Sequence, residues 1–138
     1  MARGSRVKKV LFLCIGNCCR SQMAEGFARA YGADVMEAAS AGLNPTPQVA
    51  PETVQTMAEK NIDISKHFPK PYDARGTQAD LIINMSGGPL PGATKAEVRE
   101  WRVEDPFLRG PQVYRRSCQE IESHVMRLIL ELRRKQTS

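Results

Sequence analysis

The chain has 138 residues, a hydrophobic fraction of 41% and a charged fraction of 25%, which are ordinary values for one globular domain. The net charge is +5, but Lys and Arg are scattered apart from small clusters at the two ends, and we expect no nucleic-acid partner. No apolar run is long enough for a membrane span or a signal peptide, so we expect a cytoplasmic protein without a membrane partner.

The first part of the chain predicts a strand, a tight loop and a helix. Residues 8–13 consist of a basic pair followed by a short, nearly continuous apolar run, which is typical of a strand buried on both faces. Gly16 and Asn17 interrupt this pattern. From Ser21 onward the apolar residues recur at helical spacing, and Gly32 is placed to end the helix.

Strands and helices alternate along the rest of the chain, and the last helix carries an apolar stripe. This alternation predicts a single three-layer α/β domain over residues 8–138, with a parallel sheet covered on both faces, after a flexible N-terminus at residues 1–7. The further strands are expected over 35–41, 81–85 and 98–103, and the further helices over 51–60 and 111–135. The stripe consists of Tyr114, Cys118, Ile121, Val125, Leu128 and Leu132.

The loop between the first strand and the first helix carries the residues best suited to chemistry. In a parallel sheet this loop lies at the carboxyl end of a strand, where ligands usually bind, and its N–H groups can cradle an anion. Gly16 allows the backbone to approach closely, and Asn17 tolerates left-handed dihedral angles. Cys14 would lie at the base of the cradle, where the helix dipole and Arg20 favour its thiolate. The sequence therefore predicts a cysteine nucleophile aimed at an oxyanion that Arg20 clamps.

A second motif supplies a candidate proton donor. Asp105 precedes Pro106, which restricts it to an extended conformation and suits a carboxyl group held over a pocket. Such a group could protonate the leaving oxygen of a phosphate monoester and then activate water against a phosphocysteine. The hydroxyl of Ser21 is placed to hydrogen-bond the sulfur of Cys14 when that sulfur becomes the leaving group.

Together the two motifs resemble the low-molecular-weight protein tyrosine phosphatase superfamily. Residues 10–21 read Val-Leu-Phe-Leu-Cys-x-Gly-Asn-x-Cys-Arg-Ser, and residues 104–107 read Glu-Asp-Pro-Phe. The resemblance implies a four-stranded parallel sheet flanked by helices, a phosphate-binding loop after the first strand, and neither a metal nor an organic cofactor. It also implies a nucleophile at Cys14, an anion clamp at Arg20 and a general acid at Asp105. The residues expected to bind the oxyanion or support the loop are Ile15, Gly16, Asn17, Cys18, Cys19 and Ser21, and those expected to line the substrate pocket are Ile15 and Phe107.

The four cysteines have different expected roles. By the same resemblance, Cys19 matches a cysteine that can form a reversible disulfide with Cys14 and protect it from over-oxidation. Cys118 lies in the apolar stripe of the last helix, where core packing is expected. A zinc site is not predicted, because the spacing of Cys14, Cys18 and Cys19 is poor and no second Cys or His pair follows.

The superfamily also contains arsenate reductases, which leaves two reactions open. Residues 20–27, 40–43 and 61–65 look more like that branch. Thioredoxin-linked reductases, however, carry resolving cysteines in the loop after the strand that ends near Met85, where this chain has Ser86-Gly87-Gly88. We therefore expect a phosphatase that acts on protein phosphotyrosine, and we retain as the alternative an arsenate reductase that uses Cys14 with an external thiol.

A non-catalytic module that only binds phosphate or senses oxidation is the alternative of another class. A pure binder needs neither the nucleophile nor the acid, so this alternative ranks below the two enzymes. In either enzyme we expect a monomer whose partners are a phosphorylated protein or a small oxyanion, phosphate or arsenate, together with a thiol reductant.

Overall fold

The computed structural model describes residues 7–137, in which four strands and three helices alternate except that the third and fourth strands follow one another directly. The flexible N-terminus predicted for residues 1–7 lies outside the described residues, apart from Val7. None of the described helices combines the length and the apolar composition that crossing a membrane requires. The strands are β1 (Lys8–Cys14), β2 (Met36–Gly42), β3 (Leu81–Asn84) and β4 (Glu97–Glu100), and the helices are α1 (Arg20–Tyr31), α2 (Pro51–Ala58) and α3 (Pro111–Thr137).

The strands form one parallel sheet in the order β2-β1-β3-β4, which confirms the predicted α/β class and the four-stranded parallel sheet. The pairing of β1 with β2 runs from Lys8 opposite Met36 to Cys14 opposite Gly42. The chain leaves β1 first toward β2 on one side and later reaches β3 on the other side. Such a reversal opens a crevice beyond the carboxyl ends of the strands, so the fold places Cys14 where ligands bind in sheets of this kind.

All three helices pack on one face of the sheet. Val10 and Phe12 of β1 point to this face, where they join Met23 and Phe27 of α1 and the apolar side chains of α3 in one core. The predicted stripe of α3 is confirmed, because each of its six members is at most 5% exposed. Burial of one large apolar side chain stabilises a fold by roughly 1.5–3 kcal/mol, so this face provides most of the hydrophobic stabilisation.

Loop segments, rather than helices, cover the other face of the sheet within residues 7–137. Leu11, Leu13 and Ile82 point to that face and pack against Tyr72 and Leu90. The expected third layer is therefore irregular backbone. Its segments are rich in Asp, Thr, Gly and Pro, which hydrogen-bond locally or restrict the backbone in turns and so interrupt helices.

The last strand is shorter than predicted. A strand was expected over 98–103, but β4 runs only from Glu97 to Glu100. β4 pairs with β3 at the edge of the sheet, and this pairing stops where β3 stops, at Asn84. The Trp101 N–H still donates to the Asn84 carbonyl, after which the chain leaves the sheet toward the acid motif.

Two helix ends show how local geometry determines the boundaries. Gly32 follows α1 as predicted, and a β-carbon at this position would lie 2.7 Å from Ile129 of α3, so glycine permits close contact of the two helices. α2 ends at Ala58, slightly before the predicted end, because Asn61 adopts a left-handed φ of 63° and its N–H donates to the Ala58 carbonyl.

Candidate active site

The loop after β1 has its carbonyl groups satisfied on one side and its N–H groups free on the other. Four carbonyls accept hydrogen bonds of 2.8–3.3 Å from backbone N–H groups of the segment that follows β2. The N–H groups of residues 15–17, 19 and 20 have no hydrogen-bond partner within residues 7–137, and the Cys18 N–H bonds only the sulfur of its own side chain. A set of converging N–H groups that runs into a helix N-terminus is an anion-binding nest. The four bonds run from Leu43 to Cys14, from Asn44 to Ile15, from Thr46 to Gly16 and from Ala50 to Cys18.

Asn17 forms the turn of this loop in a left-handed conformation, with φ of 51°. Its Oδ1 accepts hydrogen bonds from the Lys70 N–H at 2.9 Å and from the Gln22 amide at 3.1 Å. Gln22 also donates to the Asn17 carbonyl at 3.1 Å, so the unfavourable backbone is held from two sides. A β-carbon at Gly42 would lie 2.8 Å from the Asn17 nitrogen. Glycine is therefore required where the end of β2 approaches the loop.

Cys14 lies at the base of the loop and is 3% exposed. Its Sγ is 2.9 Å from the Ser21 Oγ, and the Asn17 Nδ2 donates to the same oxygen at 2.8 Å. The Asn17 amide uses one acceptor position of the hydroxyl and leaves its hydrogen available, so Ser21 can donate to the sulfur when Cys14 is a thiolate. A hydroxyl donor at this position stabilises a thiolate, both as a nucleophile and as a leaving group.

Arg20 connects the loop to the segments that follow β3 and β4. Its Nη1 donates to the Met85 carbonyl at 2.6 Å and to the Val103 carbonyl at 3.1 Å, and its Nη2 is 3.5 Å from the Asp105 Oδ2. Arg20 is only 6% exposed, and its Nε is buried without a hydrogen-bond partner within residues 7–137. A buried unpaired N–H of a cation is costly unless a ligand accepts from it. The arrangement therefore fits an oxyanion beside Arg20.

Asp105 lies at the rim of the site, where its side chain is 47% exposed and faces Arg20. Its Oδ1 accepts a hydrogen bond from the Phe107 N–H at 3.1 Å, which orients the carboxyl group locally. Phe107 is 42% exposed and Ile15, in the loop itself, is 45% exposed. Both are large apolar side chains, so apolar surface is available beside the acid and beside the nucleophile's loop.

Cys18 and Cys19 form a second pair of sulfur atoms in the same loop. Their Sγ atoms are 3.4 Å apart, and the Cys19 Sγ is 3.2 Å from the Tyr114 hydroxyl. The hydrogen bond from Cys19 lowers the pKa of Cys18 to about 7, while this bond and burial raise the pKa of Cys19. Burial also raises the pKa of Tyr114, so its hydroxyl stays protonated. The pair therefore loses its first proton in the neutral pH range, and the resulting negative charge is favoured on Cys18.

Two residues of the site were not predicted from the sequence. Gln22 is fully buried in the first turn of α1, where it supports Asn17. Tyr114 is 1% exposed and contacts Cys19 through its hydroxyl. Only a weak indication of either residue is present in the sequence: each has a polar group at a helix position that faces the core, and such a group needs a hydrogen-bond partner there.

Cys118, the fourth cysteine, lies outside this loop, and the described residues also lack the arrangement that a metal site requires. Cys118 is 1% exposed and packs in the core, as predicted, with its Sγ 3.9 Å from the Met57 Sδ. Within residues 7–137 no group of three or more His, Cys, Asp or Glu side chains is arranged to hold a metal ion.

Comparison with known proteins gives relatives with two kinds of named activity. A glutaredoxin arsenate reductase from Synechocystis is 34% identical over 131 residues, which cover 91% of this chain and 99% of the relative. An arsenate reductase solved in a phosphate-binding state has a TM-score of 0.81 at 34% identity, with 91% of this chain and 99% of that chain covered. A low molecular weight protein tyrosine phosphatase from T. tengcongensis has a TM-score of 0.77 at 30% identity, with the same coverage of 91% and 99%.

One protein-family model matches nearly the whole chain. The model of the low molecular weight phosphotyrosine protein phosphatases matches residues 9–138, which include the loop after β1, the acid motif and all seven elements but for the first residue of β1. The named reductases and the named phosphatase share this fold at 30% identity or more. The chain belongs to the low molecular weight phosphotyrosine protein phosphatase family, which confirms the resemblance found in its sequence motifs.

Proposed function

We propose that this protein is a cysteine-dependent phosphatase that hydrolyses phosphate monoesters, with phosphotyrosine in proteins as the substrate class. The observation that carries the proposal is the hydrogen bond of 2.9 Å between the Cys14 sulfur and the Ser21 hydroxyl, at the base of a loop with free N–H groups. A thiolate in this position faces the phosphorus of an anion whose oxygens accept from the loop and from Arg20. The apolar surfaces of Ile15 and Phe107 suit the ring of an aryl ester.

The proposed reaction has two steps. In the first, the Cys14 sulfur forms a bond to phosphorus as the bond from phosphorus to the ester oxygen breaks, and Asp105 gives its proton to the leaving alcohol. In the second, the Asp105 carboxylate takes a proton from water, which attacks the phosphocysteine and expels the Cys14 thiolate. The Ser21 hydroxyl stabilises that thiolate as it leaves. Arg20 holds the equatorial oxygens in both steps, because its planar fork matches two of them at once.

An arsenate reductase that relies on an external thiol is the second candidate. The relatives named arsenate reductase support it, at 34% identity over nearly the whole chain. The loop after β3 argues against a reductase with an internal disulfide relay, because Ser86, Gly87 and Gly88 offer no thiol there and the four cysteines of the chain lie at other positions. The oxyanion cradle and the nucleophile would serve both reactions. What differs is the fate of the Cys14 adduct, which water resolves in one case and a thiol in the other.

A non-catalytic phosphate binder is weakly supported. Such a binder has no use for a thiolate beside a hydroxyl donor or for an acid 3.5 Å from the clamping arginine. Phosphopeptide retained without release of phosphate would be the sign of this third alternative.

The deciding experiment is a time course of phosphotyrosine-peptide hydrolysis at mildly acidic pH under reducing conditions. A parallel assay follows arsenite formation from arsenate with glutathione or a glutaredoxin as the thiol source. We expect sustained phosphate release, within the usual enzyme range of ~1–10³ s⁻¹, and no arsenite above the Cys14→Ser control. Arsenite formation that depends on Cys14, with only a trace of phosphate released, would overturn the proposal in favour of the reductase.

A further inference from the structure

We propose that Cys18 and Cys19 form a peroxide-sensitive dithiol, which closes to a disulfide between neighbouring residues and switches off oxyanion binding by the loop. The inference rests on the proposed function, because it describes regulation of the same loop. The proposed Cys18–Cys19 disulfide is an alternative to the Cys14–Cys19 disulfide that the family resemblance implies, because Cys19 can form only one of the two bonds.

The two sulfur atoms already lie side by side. Their separation is 3.4 Å, both residues are buried, and the Cys19 sulfur is fixed from its other side by the Tyr114 hydroxyl at 3.2 Å. The Cys18 carbonyl is held by the Thr53 hydroxyl at 2.9 Å and by the Ala50 N–H at 3.3 Å. A disulfide requires an S–S distance of about 2.05 Å, so the sulfurs need to approach by little more than 1 Å.

The charge of the pair favours the same reaction. The hydrogen bond between the two sulfurs lowers the pKa of Cys18 and raises that of Cys19, so Cys18 is the member of the pair that loses its proton more readily. Asp105 acts against this shift, which places Cys18 within electrostatic reach of the acid at the rim of the site. Thiolates rather than thiols react with peroxides. Cys118 differs, because burial raises its pKa to about 11 and keeps it a thiol.

The chemistry needs only a peroxide as the oxidant. The Cys18 thiolate attacks one oxygen of hydrogen peroxide, the O–O bond breaks, and a sulfenic acid forms as the second oxygen leaves as water after protonation. The Cys19 sulfur then attacks the sulfenic sulfur, its proton goes to the departing hydroxide, and a second water leaves. The two sulfurs lose two electrons in total, and the peroxide gains them. A dithiol reductant reverses the bond by thiol–disulfide exchange.

The bond would disturb the cradle, because a disulfide between adjacent residues closes a ring that contains the peptide joining them and forces that peptide out of its relaxed geometry. Neighbouring Cα atoms are about 3.8 Å apart, whereas disulfide-bonded residues are usually ~4.4–6.8 Å apart. The peptide that must move joins Cys18 to Cys19, immediately before Arg20 and inside the set of free N–H groups. We therefore expect oxidation to weaken oxyanion binding as well as to remove a thiolate.

Disulfide mapping tests the linkage directly. Trypsin cuts after Lys9 and Arg20, so one peptide carries Cys14, Cys18 and Cys19. The protein is treated with an equimolar amount of hydrogen peroxide, denatured, alkylated with iodoacetamide and analysed by tandem mass spectrometry. We expect a loss of two hydrogens at the Cys18–Cys19 pair and normal fragment ions between Cys14 and Cys18, with Cys14 carrying either the alkyl group or oxygen added by the peroxide. An unalkylated Cys14, with no fragment ions between it and Cys19, would overturn the proposal.

Single variants separate the candidates. Cys14→Ser should still form the disulfide, Cys19→Ser should not form it, and Cys118→Ser is the matched control that should behave as wild type. Circular dichroism shows that each variant is folded before oxidation. The rate of disulfide formation in Cys14→Ser should rise as the pH is raised through neutrality, because the reactive thiolate of Cys18 becomes more populated. Loss of the disulfide in Cys14→Ser would assign the oxidation to Cys14 instead.

Binding of inorganic phosphate to Cys14→Ser, before and after oxidation, tests the switch without relying on turnover. We expect affinity to fall at least tenfold on oxidation and to recover with a dithiol reductant. Unchanged affinity in protein shown to carry the disulfide would refute the switch. Failure of the phosphatase proposal alone would appear differently. The reduced wild type would not hydrolyse the phosphopeptide, but oxidation would still form the disulfide and would still lower the affinity for phosphate.

Discussion

The loops at the ends of β1 and β3 lie beside each other at the same edge of the sheet but are built in opposite ways. The loop after β1 is buried at five of its seven residues from 14 to 20 and contains three cysteines. The loop after β3, residues 86–93, is mostly exposed and consists of Ser, Gly, Pro, Leu and Ala. Two neighbouring strand ends thus offer similar positions, and only one of them carries reactive groups.

The polar groups of the second loop are satisfied among themselves. The Ser86 Oγ donates to the Asn84 Oδ1 at 2.7 Å, and the Asn84 Nδ2 donates to the Gly88 carbonyl at 2.8 Å. Its contact with the first loop is made by the residue that precedes it, Met85, whose carbonyl accepts from Arg20. The comparison indicates that the first loop performs the chemistry, whereas the second loop supports the position of its arginine.

The largest expected effect follows from replacing that arginine. Arg20→Lys should lower kcat/KM for a phosphotyrosine peptide by roughly 10³- to 10⁵-fold and should also abolish phosphate binding, because a point charge cannot copy the planar fork or reach both carbonyls. Arg109→Lys is the matched control, since Arg109 is an exposed residue of the acid loop that pairs with Glu104 at 3.3 Å. Steady-state kinetics and phosphate titration measure both quantities. Retained phosphate affinity in Arg20→Lys would mean that the N–H groups alone hold the anion.

The acid motif should show a smaller effect that depends on the substrate. Asp105→Asn removes the proton donor but keeps the size of the side chain, so kcat should fall by roughly 10²- to 10⁴-fold for esters with poor leaving groups. An ester of a nitrophenol should be affected much less, because its leaving oxygen needs little protonation. Equal activity of Asp105→Asn and wild type on phosphotyrosine would contradict the acid role.

A glycine pair compares the packing around the two loops. Gly42→Ala places a β-carbon 2.8 Å from backbone atoms of the first loop, whereas a β-carbon at Gly88 in the second loop meets nothing within 4 Å. We expect Gly42→Ala to cost about 1–3 kcal/mol of unfolding free energy and to lower kcat/KM at least tenfold, since the loop must shift. Gly88→Ala should change the unfolding free energy by no more than about 0.5 kcal/mol. Urea denaturation of both variants, with kinetics in parallel, provides the test, and similar stabilities would contradict the difference in packing.

Much of this architecture could be predicted from the sequence, because its signals are local. The apolar run of β1, the break at Gly16 and the helical spacing of the α3 stripe each depend on residues close together in the chain. The family resemblance then assigned roles to Cys14 and Arg20, and the structure places both at the predicted loop. Strand β4 was harder, since its end is determined by the length of β3 rather than by its own residues.

The contacts that could not be predicted join distant parts of the chain. Tyr114 reaches Cys19 across 95 positions, and the Lys70 N–H reaches Asn17 across 53. No periodicity in the sequence indicates which buried polar group meets which, because that depends on how the helices pack on the sheet. The loop layer on the second face was missed for a similar reason. Alternation of strands and helices predicts covered faces but does not determine what covers them.

The smallest expected effect comes from the same substitution made in the second loop and at the start of α1, directly after the first loop. Ser86→Ala removes a hydroxyl that bonds Asn84 at 2.7 Å, so it should cost about 1 kcal/mol of unfolding free energy while leaving kcat/KM within about twofold of wild type. Ser21→Ala removes the hydroxyl 2.9 Å from the Cys14 sulfur and should instead slow release of phosphate from the phosphocysteine. Rapid-quench measurement of the phosphoenzyme should show that it accumulates in Ser21→Ala and not in Ser86→Ala. If the phosphoenzyme accumulated equally in both variants, the second loop would take part in the chemistry, and the division between a reactive loop and a supporting loop would be wrong.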